Sequence, residues 1–187
     1  MNKVFDQKNK LLIIATIILY FLLSFQTTLA YSINPQDIGA YLNQERTARN
    51  LDELRWCEKL SEAARNKAEH MIKHNYFDHY APDGTSPWSF IYQSDYDYKF
   101  AGENLAMGFN TSKSVHDAWM ASSTHRANII NSNYRDYAIH VEENIIDGKN
   151  QNIIVQIFAT PDNPIISKTN FLVNTILNFI LGKDSLQ

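Results

Sequence analysis

Apolar positions recur along the chain in three rhythms, and each predicts a different kind of element. From Asn34 the spacing is helical, with Ile38, Tyr41, Leu42 and Ala48 on one face. Asn34 suits the N-cap, Pro35 the first helical position, Asp37 the positive helix end, and Asn50 a stop. Glu45 is the one charged residue on that face and reads as a rim residue, with Arg46 and Arg49 on the wet side. A second helical pattern covers Glu53 to His74. Leu54, Cys57, Leu60, Ala64, Ala68 and Met71 form its stripe, and Arg65, Lys67, Glu69 and Lys73 line the opposite side. His70 and His74 share a face, but Met71 stands where a zinc-protease motif places glutamate, so the pair reads as solvated or edge histidines.

The rhythm then breaks. In Pro82-Asp83-Gly84 the proline sets φ and the glycine accepts positive φ, which predicts a turn and leaves His79 on a loop flanked by aromatics. Ser86-Pro87 opens a short helix with Trp88, Phe90 and Ile91 as its buried side, and tyrosine-rich Gln93 to Phe100 reads as a surface loop. In the next stretch a carboxylate, Glu103, follows Gly102 at the head of an apolar run. Ser114 with Asp117 resembles a capping box, followed by an apolar face of Val115, Ala118 and Trp119. Ser122, Ser123 and Thr124 end that helix just before His125-Arg126.

Beyond Tyr134 the period becomes two. Tyr137, Ile139 and Val141 alternate with Ala138, His140 and Glu142, and Asn152 to Ala159 forms a second, mostly apolar run. Asp147-Gly148 between them marks the turn of an antiparallel hairpin. The second strand is apolar on both faces, so helices are expected on both sides of the sheet.

The two ends carry a different signal. Residues 1–10 hold three lysines against Asp6, Leu11 to Phe25 is apolar, and Thr28-x-Ala30 is a small-residue exit. This predicts an export signal at 1–30, cleaved after Ala30; if retained, it becomes an N-terminal anchor. Pro161 and Pro164 close a domain at 31–160, and 161–187 forms a tail. Its run Phe171 to Leu181 is too short to span a bilayer and reads as an amphipathic segment able to touch the domain, a partner or a membrane surface.

Removing residues 1–30 from 187 lowers the basic count from 17 to 14 and the acidic count from 20 to 19, so 157 residues carry a net charge near −5. No Lys/Arg stripe favours nucleic acid. The single cysteine, Cys57, excludes an internal disulfide and reads as a buried thiol, so the core alone must hold this exported domain.

Several motifs now occur in one order. They are His79 with Pro82-Asp83-Gly84 and Ser86-Pro87-Trp88, then Gly102-Glu103-Asn104-Leu105-Ala106. Trp119-x-x-Ser122-x-x-His125-Arg126-x-Asn128-Ile129 and Val155-Gln156-Ile157-Phe158-Ala159 follow. Together they resemble the CAP superfamily (SCP or PR-1-like), in its disulfide-poor prokaryotic branch, over about Ile38 to Thr160. The resemblance implies an α+β fold, a three-layer α-β-α sandwich with a central antiparallel sheet. It also implies a surface cavity lined by two histidines and two acids. His79, Glu103 and His125 match three of these; the fourth position, a glutamate in eukaryotic relatives, is Ser122 here, and Asp117 is the nearest other acid.

Two imidazoles can hold zinc or another divalent cation weakly, through His79 and His125 with water in the open positions. Glu103 would then orient a histidine ring. That makes a non-enzymatic extracellular binding module the leading expectation, for a cation or a small ligand. The resemblance adds sterols and lipids to the ligands, and extracellular proteins to the partners. One alternative is a metal-assisted hydrolase, for which Ser122 to Thr124 lack a nucleophile-elbow context. The other is a structural or protein-interaction domain in which the acid and histidines form a buried network.

Overall fold

The computed structural model describes residues 33–146 and 149–162, together with residue 9 and a helical run at 12–20. In chain order the domain contains α1 (Pro35–Thr47), β1 (Arg55–Trp56), α2 (Glu58–Lys73), α3 (Pro87–Gln93) and β2 (Tyr98–Met107). It continues with α4 (Ser112–Ala121), α5 (Ser123–Ile129), β3 (Asp136–Ile146) and β4 (Lys149–Pro161). Among the described residues no helix is long and apolar enough to cross a membrane. The end of the proposed export signal, the Asp147-Gly148 turn and Phe171 to Leu181 lie outside the described residues.

One four-stranded sheet, in the order β1-β3-β4-β2, forms the middle layer. The three long strands run antiparallel, and the two-residue β1 pairs parallel with β3 at one edge. β4 is central, and its alternation divides the core in two. Ile153, Val155, Ile157 and Ala159 face Leu60, Ala64, Ala68 and Met71 of α2 and Phe90 and Ile91 of α3. Ile154 and Phe158 point the other way, toward Ile38 and Leu42 of α1, Val115 and Trp119 of α4, and Ile129 of α5. A strand apolar on both faces is thus covered on both faces, and the result is the three-layer α-β-α sandwich.

Local chemistry sets several boundaries as expected. The Asn34 side chain accepts from Gln36 N at 2.8 Å, and Asn50 takes φ +58° just beyond α1. Gly84 takes φ +87° in the Pro-Asp-Gly turn.

Other boundaries move. The second helix starts at Glu58, because Arg55 and Cys57 give their backbone N–H groups to Arg135 and Tyr137 carbonyls, both at 3.0 Å. Sheet pairing overrides local propensity there, and Cys57 becomes a half-buried N-cap packed against the core, not an interior helix position. Gln93 to Phe100 is not simply a surface loop: Tyr96 is buried, its hydroxyl donating to Asp136 at 2.8 Å, and β2 begins at Tyr98. Thr111, not Ser114, caps α4, accepting from Ser114 N at 3.1 Å.

Two cations assigned to the wet side are fully buried, Arg46 and Lys67. Arg46 serves the fold, donating to the carbonyls of Asp52 (2.8 Å), Ile129 (2.9 Å) and Asn131 (2.8 Å). Each cation lies on its helix's buried stripe, Arg46 four residues after Leu42 and Lys67 four before Met71, where charge masked the periodicity.

Candidate functional site

Among the described residues β2 pairs only with β4, so its far side is an edge of the sheet, and that edge collects predicted residues. Strand alternation aims Glu103 with Leu105 toward the α2 layer and Asn104 with Ala106 toward the α5 layer. From the first side comes the His79 loop. His79 Nδ1 stands 2.6 Å from Glu103 Oε1, with the Glu103 side chain 2% exposed and that of His79 48% exposed. The ring is therefore held at one nitrogen by a buried acid while about half of its surface meets solvent.

From the other side comes α5, docked through side-chain amides. Asn104 Nδ2 donates to the His125 carbonyl at 3.2 Å and to Gln156 Oε1 at 2.9 Å. Asn128 Nδ2 donates to the Glu103 carbonyl at 3.0 Å and to Asn104 Oδ1 at 2.8 Å. The approach is close enough to require glycine at 102. A Cβ there would stand 2.3 Å from the Tyr134 hydroxyl and 3.0 Å from Asn128 Oδ1. Arg126 is the fastener between α5 and α4, donating to the Met120 carbonyl at 2.8 Å.

Burying a carboxylate costs several kcal/mol unless charge and hydrogen bonds offset it. Two basic side chains share that task for Glu103. The His79 pKa is raised, first by the hydrogen bond to Glu103, against an opposing effect of burial. Lys67 lies on the same side. Its ammonium donates to the carbonyls of Asp78 (2.8 Å) and His79 (2.7 Å) and to the Tyr76 hydroxyl (3.2 Å). Burial lowers the Lys67 pKa, and the negative charge of Glu103 pulls it back up.

Lys67 thus ties the His79 loop to α2 and supplies positive charge beneath the acid. Burial pushes the Tyr76 phenol up to about 12, so it stays protonated and lies 2.9 Å from His70 Nδ1. The phenol oxygen accepts a hydrogen bond from Lys67, and its O–H is left to donate to His70 Nδ1.

The second imidazole behaves oppositely. Burial lowers the His125 pKa, and repulsion from His79 lowers it further. The two rings are thus displaced in opposite directions, His79 upward and His125 downward. Glu103 Oε2 is buried with no hydrogen-bond partner among the described residues, an unspent acceptor at the base of the site.

Not every candidate joins this arrangement. Ser122 is the junction of α4 and α5, its hydroxyl 3.1 Å from that of Thr124. Asp117 is exposed and paired with Lys113 at 2.6 Å, and its charge acts on His116. His70 and His74 stack at 4.2 Å, His70 half-buried and His74 exposed. Sequence reasoning missed Lys67, Tyr76 and Gln156. For Lys67 the stripe spacing was the available signal; the Asn104–Gln156 pair emerges only from strand register.

As a metal site the donor set is thin. Among the described residues no group of three or more His, Cys, Asp or Glu side chains is arranged to hold a metal ion. A closed structural centre does not fit; two imidazoles with water in the remaining positions is the most that His79 and His125 offer.

A three-layer sandwich with an acid–imidazole pair at the edge of its sheet defines a known class. The chain belongs to the CAP family, described as the cysteine-rich secretory protein family, whose sequence model matches residues 40–158. It is 40% identical over 107 residues to the Bacillus subtilis protein YkwD, covering 54% of this chain and 42% of that one. The chain thus spans less than half the length of that relative. Among solved structures, an outer surface protein of Borrelia burgdorferi superposes with TM-score 0.59 at 22% identity, over 68% of this chain and 92% of that one. An extracellular SCP-domain protein of Bacillus anthracis superposes with TM-score 0.56 at 23% identity, over 67% of this chain and 39% of that one. Those two likenesses concern the fold.

Proposed function

We propose that this CAP-domain protein is an exported, non-enzymatic binding module whose cavity of His79, Glu103 and His125 takes a divalent cation or a small ligand. The observation that carries the reading is the buried Glu103 carboxylate, which holds His79 through one oxygen and keeps the other unpartnered. A buried acceptor left unspent costs stability, and a ligand donor or a cation would recover that cost. Export rests on the basic-apolar-small pattern of residues 1–30, and it agrees with the extracellular protein of Bacillus anthracis and the outer surface protein of Borrelia burgdorferi that share the fold. The segment 171–181 is assigned a membrane-surface or partner contact, from its sequence pattern alone.

The test is a calorimetric titration of the full chain with zinc, beside a His79→Ala, His125→Ala double variant. Saturable binding that disappears in a still-folded variant supports a ligand site. Equal behaviour of both proteins makes the acid and histidines a scaffold that locks loops to the sheet.

A second reading, a hydrolase, is favoured by the opposite displacement of the two histidine pKa values, which is how one site holds an acid beside a base. Turnover from an ester or peptide library, lost in Glu103→Gln, would establish it.

A further inference from the structure

A groove of about 440 Å³ opens elsewhere on the surface, lined by Ser86, Trp88, Ser89, Tyr92, Gln93 and Tyr98. None of His79, Glu103 and His125 lines it. Its volume falls in the range of small-ligand sites, about 300–1,000 Å³. Helix α3 and its N-cap supply all the lining except Tyr98, which begins β2. The other side of α3 buries Phe90 and Ile91 in the core, so the lining face is held still. Trp88 and Tyr92 are four residues apart and share one stripe; Ser89 and Gln93 form a second. The Trp88 and Tyr98 rings, both half-buried against the core, stand 6.4 Å apart at 48°. Ser86 and Ser89 hydroxyls are 3.2 Å apart on the groove wall.

The chemistry of this lining is selective. The chain has 17 basic and 20 acidic residues, yet none lines the groove, so an ionic ligand finds no counter-charge. Tyr92 is 72% exposed, an aromatic surface that the described residues leave largely uncovered. Beside the rings stand two hydroxyls, a carboxamide and two phenols, groups that both donate and accept hydrogen bonds. A lipid chain would need enclosure and would leave these groups unsatisfied. A proline-rich strand would use the rings but offers chiefly carbonyl acceptors, leaving the acceptor half of the rim idle. A sugar ring matches both halves, with an apolar C–H face for an aromatic ring and an equatorial rim of hydroxyls that donate and accept.

We propose that the Trp88–Tyr92–Tyr98 groove binds a neutral oligosaccharide. A pyranose ring stacks on Trp88, and its hydroxyls meet Ser86, Ser89 and Gln93. This site shares no residue with the histidine cavity, so its failure leaves that reading untouched.

The test is a titration of the full chain with cellotetraose and, separately, with a β-1,4-linked N-acetylglucosamine tetramer, following the Trp88 indole N–H by NMR. A decaproline peptide is the third ligand. The expected result is a saturable shift with at least one sugar, with affinity about tenfold or more weaker in Tyr92→Ala and in Trp88→Ala, and largely kept in Trp88→Phe. Tyr92→Ala removes an exposed ring and so tests the groove even where Trp88→Ala disturbs folding. The proposal is overturned by the absence of a saturable shift with either sugar, by sugar binding unchanged in Tyr92→Ala, or by binding of decaproline alone.

Discussion

His79 Nδ1 and Glu103 Oε1 stand 2.6 Å apart across the edge of the sheet, joining a half-exposed imidazole to a carboxylate whose side chain is 2% exposed. The contact joins a loop to a strand across 24 residues of sequence, and its chemistry makes it sensitive to pH.

The hydrogen bond to Glu103 raises the His79 pKa in the folded state. Its stabilisation is therefore fully present below the ordinary histidine value, about 6.5, and is lost as pH rises through the raised folded value. Glu103→Gln should bring the His79 pKa down toward its ordinary value. Ring-proton NMR titration of the metal-free protein reads this directly, and an unmoved His79 titration would refute the assignment.

Lys67→Met should destabilise the domain by about 3 kcal/mol. The change strips donors from the Asp78 and His79 carbonyls and removes a cation near Glu103. Urea unfolding measures it, and a cost near zero would mean that water replaces the ammonium without penalty. The His79 NMR signals should shift as well, since the loop loses its tether.

Gly102→Ala should cost about 1–3 kcal/mol, because the new methyl group must displace the Tyr134 ring or the Asn128 amide that docks α5. Adding Tyr134→Ala should recover less than the full loss, since the Tyr134 ring also stacks on Phe158 at 5.3 Å. A Gly102→Ala protein with unchanged thermal stability would show that the edge is looser than described.

His116 predicts acid sensitivity. It is buried between α4 and α1 with Nδ1 unpartnered among the described residues, beside the Tyr41 ring and 4.0 Å from Glu45. Burial lowers its pKa, although Glu45 and Asp117 oppose that shift. A lowered folded pKa means stability that is present above about 6.5 and declines as pH falls below it, because the unfolded chain takes up the proton first. Urea midpoints at successive pH values should show this decline, and His116→Phe should flatten it. An equally steep decline in the variant would move the acid sensitivity to other groups.

Much of the fold was legible in the chain itself. The Asn34-Pro35 start and the Pro82-Asp83-Gly84 turn are decided by side chains acting within a few residues, whereas Ser123 and Thr124, read as the end of a helix, begin the separate helix α5. The doubly apolar β4 foretold helices on both sides of the sheet, because its two faces need two partners. The motif order singled out His79 and Glu103, which the structure brings to 2.6 Å from each other. The tertiary structure alone decided the rest. β1 exists because Arg135 and Tyr137 offer it carbonyls, and no local preference encodes that. Arg46 and Lys67 sit on the buried stripes of their helices, but which carbonyls receive their charges was settled only by the tertiary structure. Asn104 meets Gln156 through strand register, and the His79 ring finds the carboxylate that accepts its hydrogen bond 24 residues away. Periodicity is a local property readable along the chain, whereas the partner of a buried polar group is settled only when distant segments close around it.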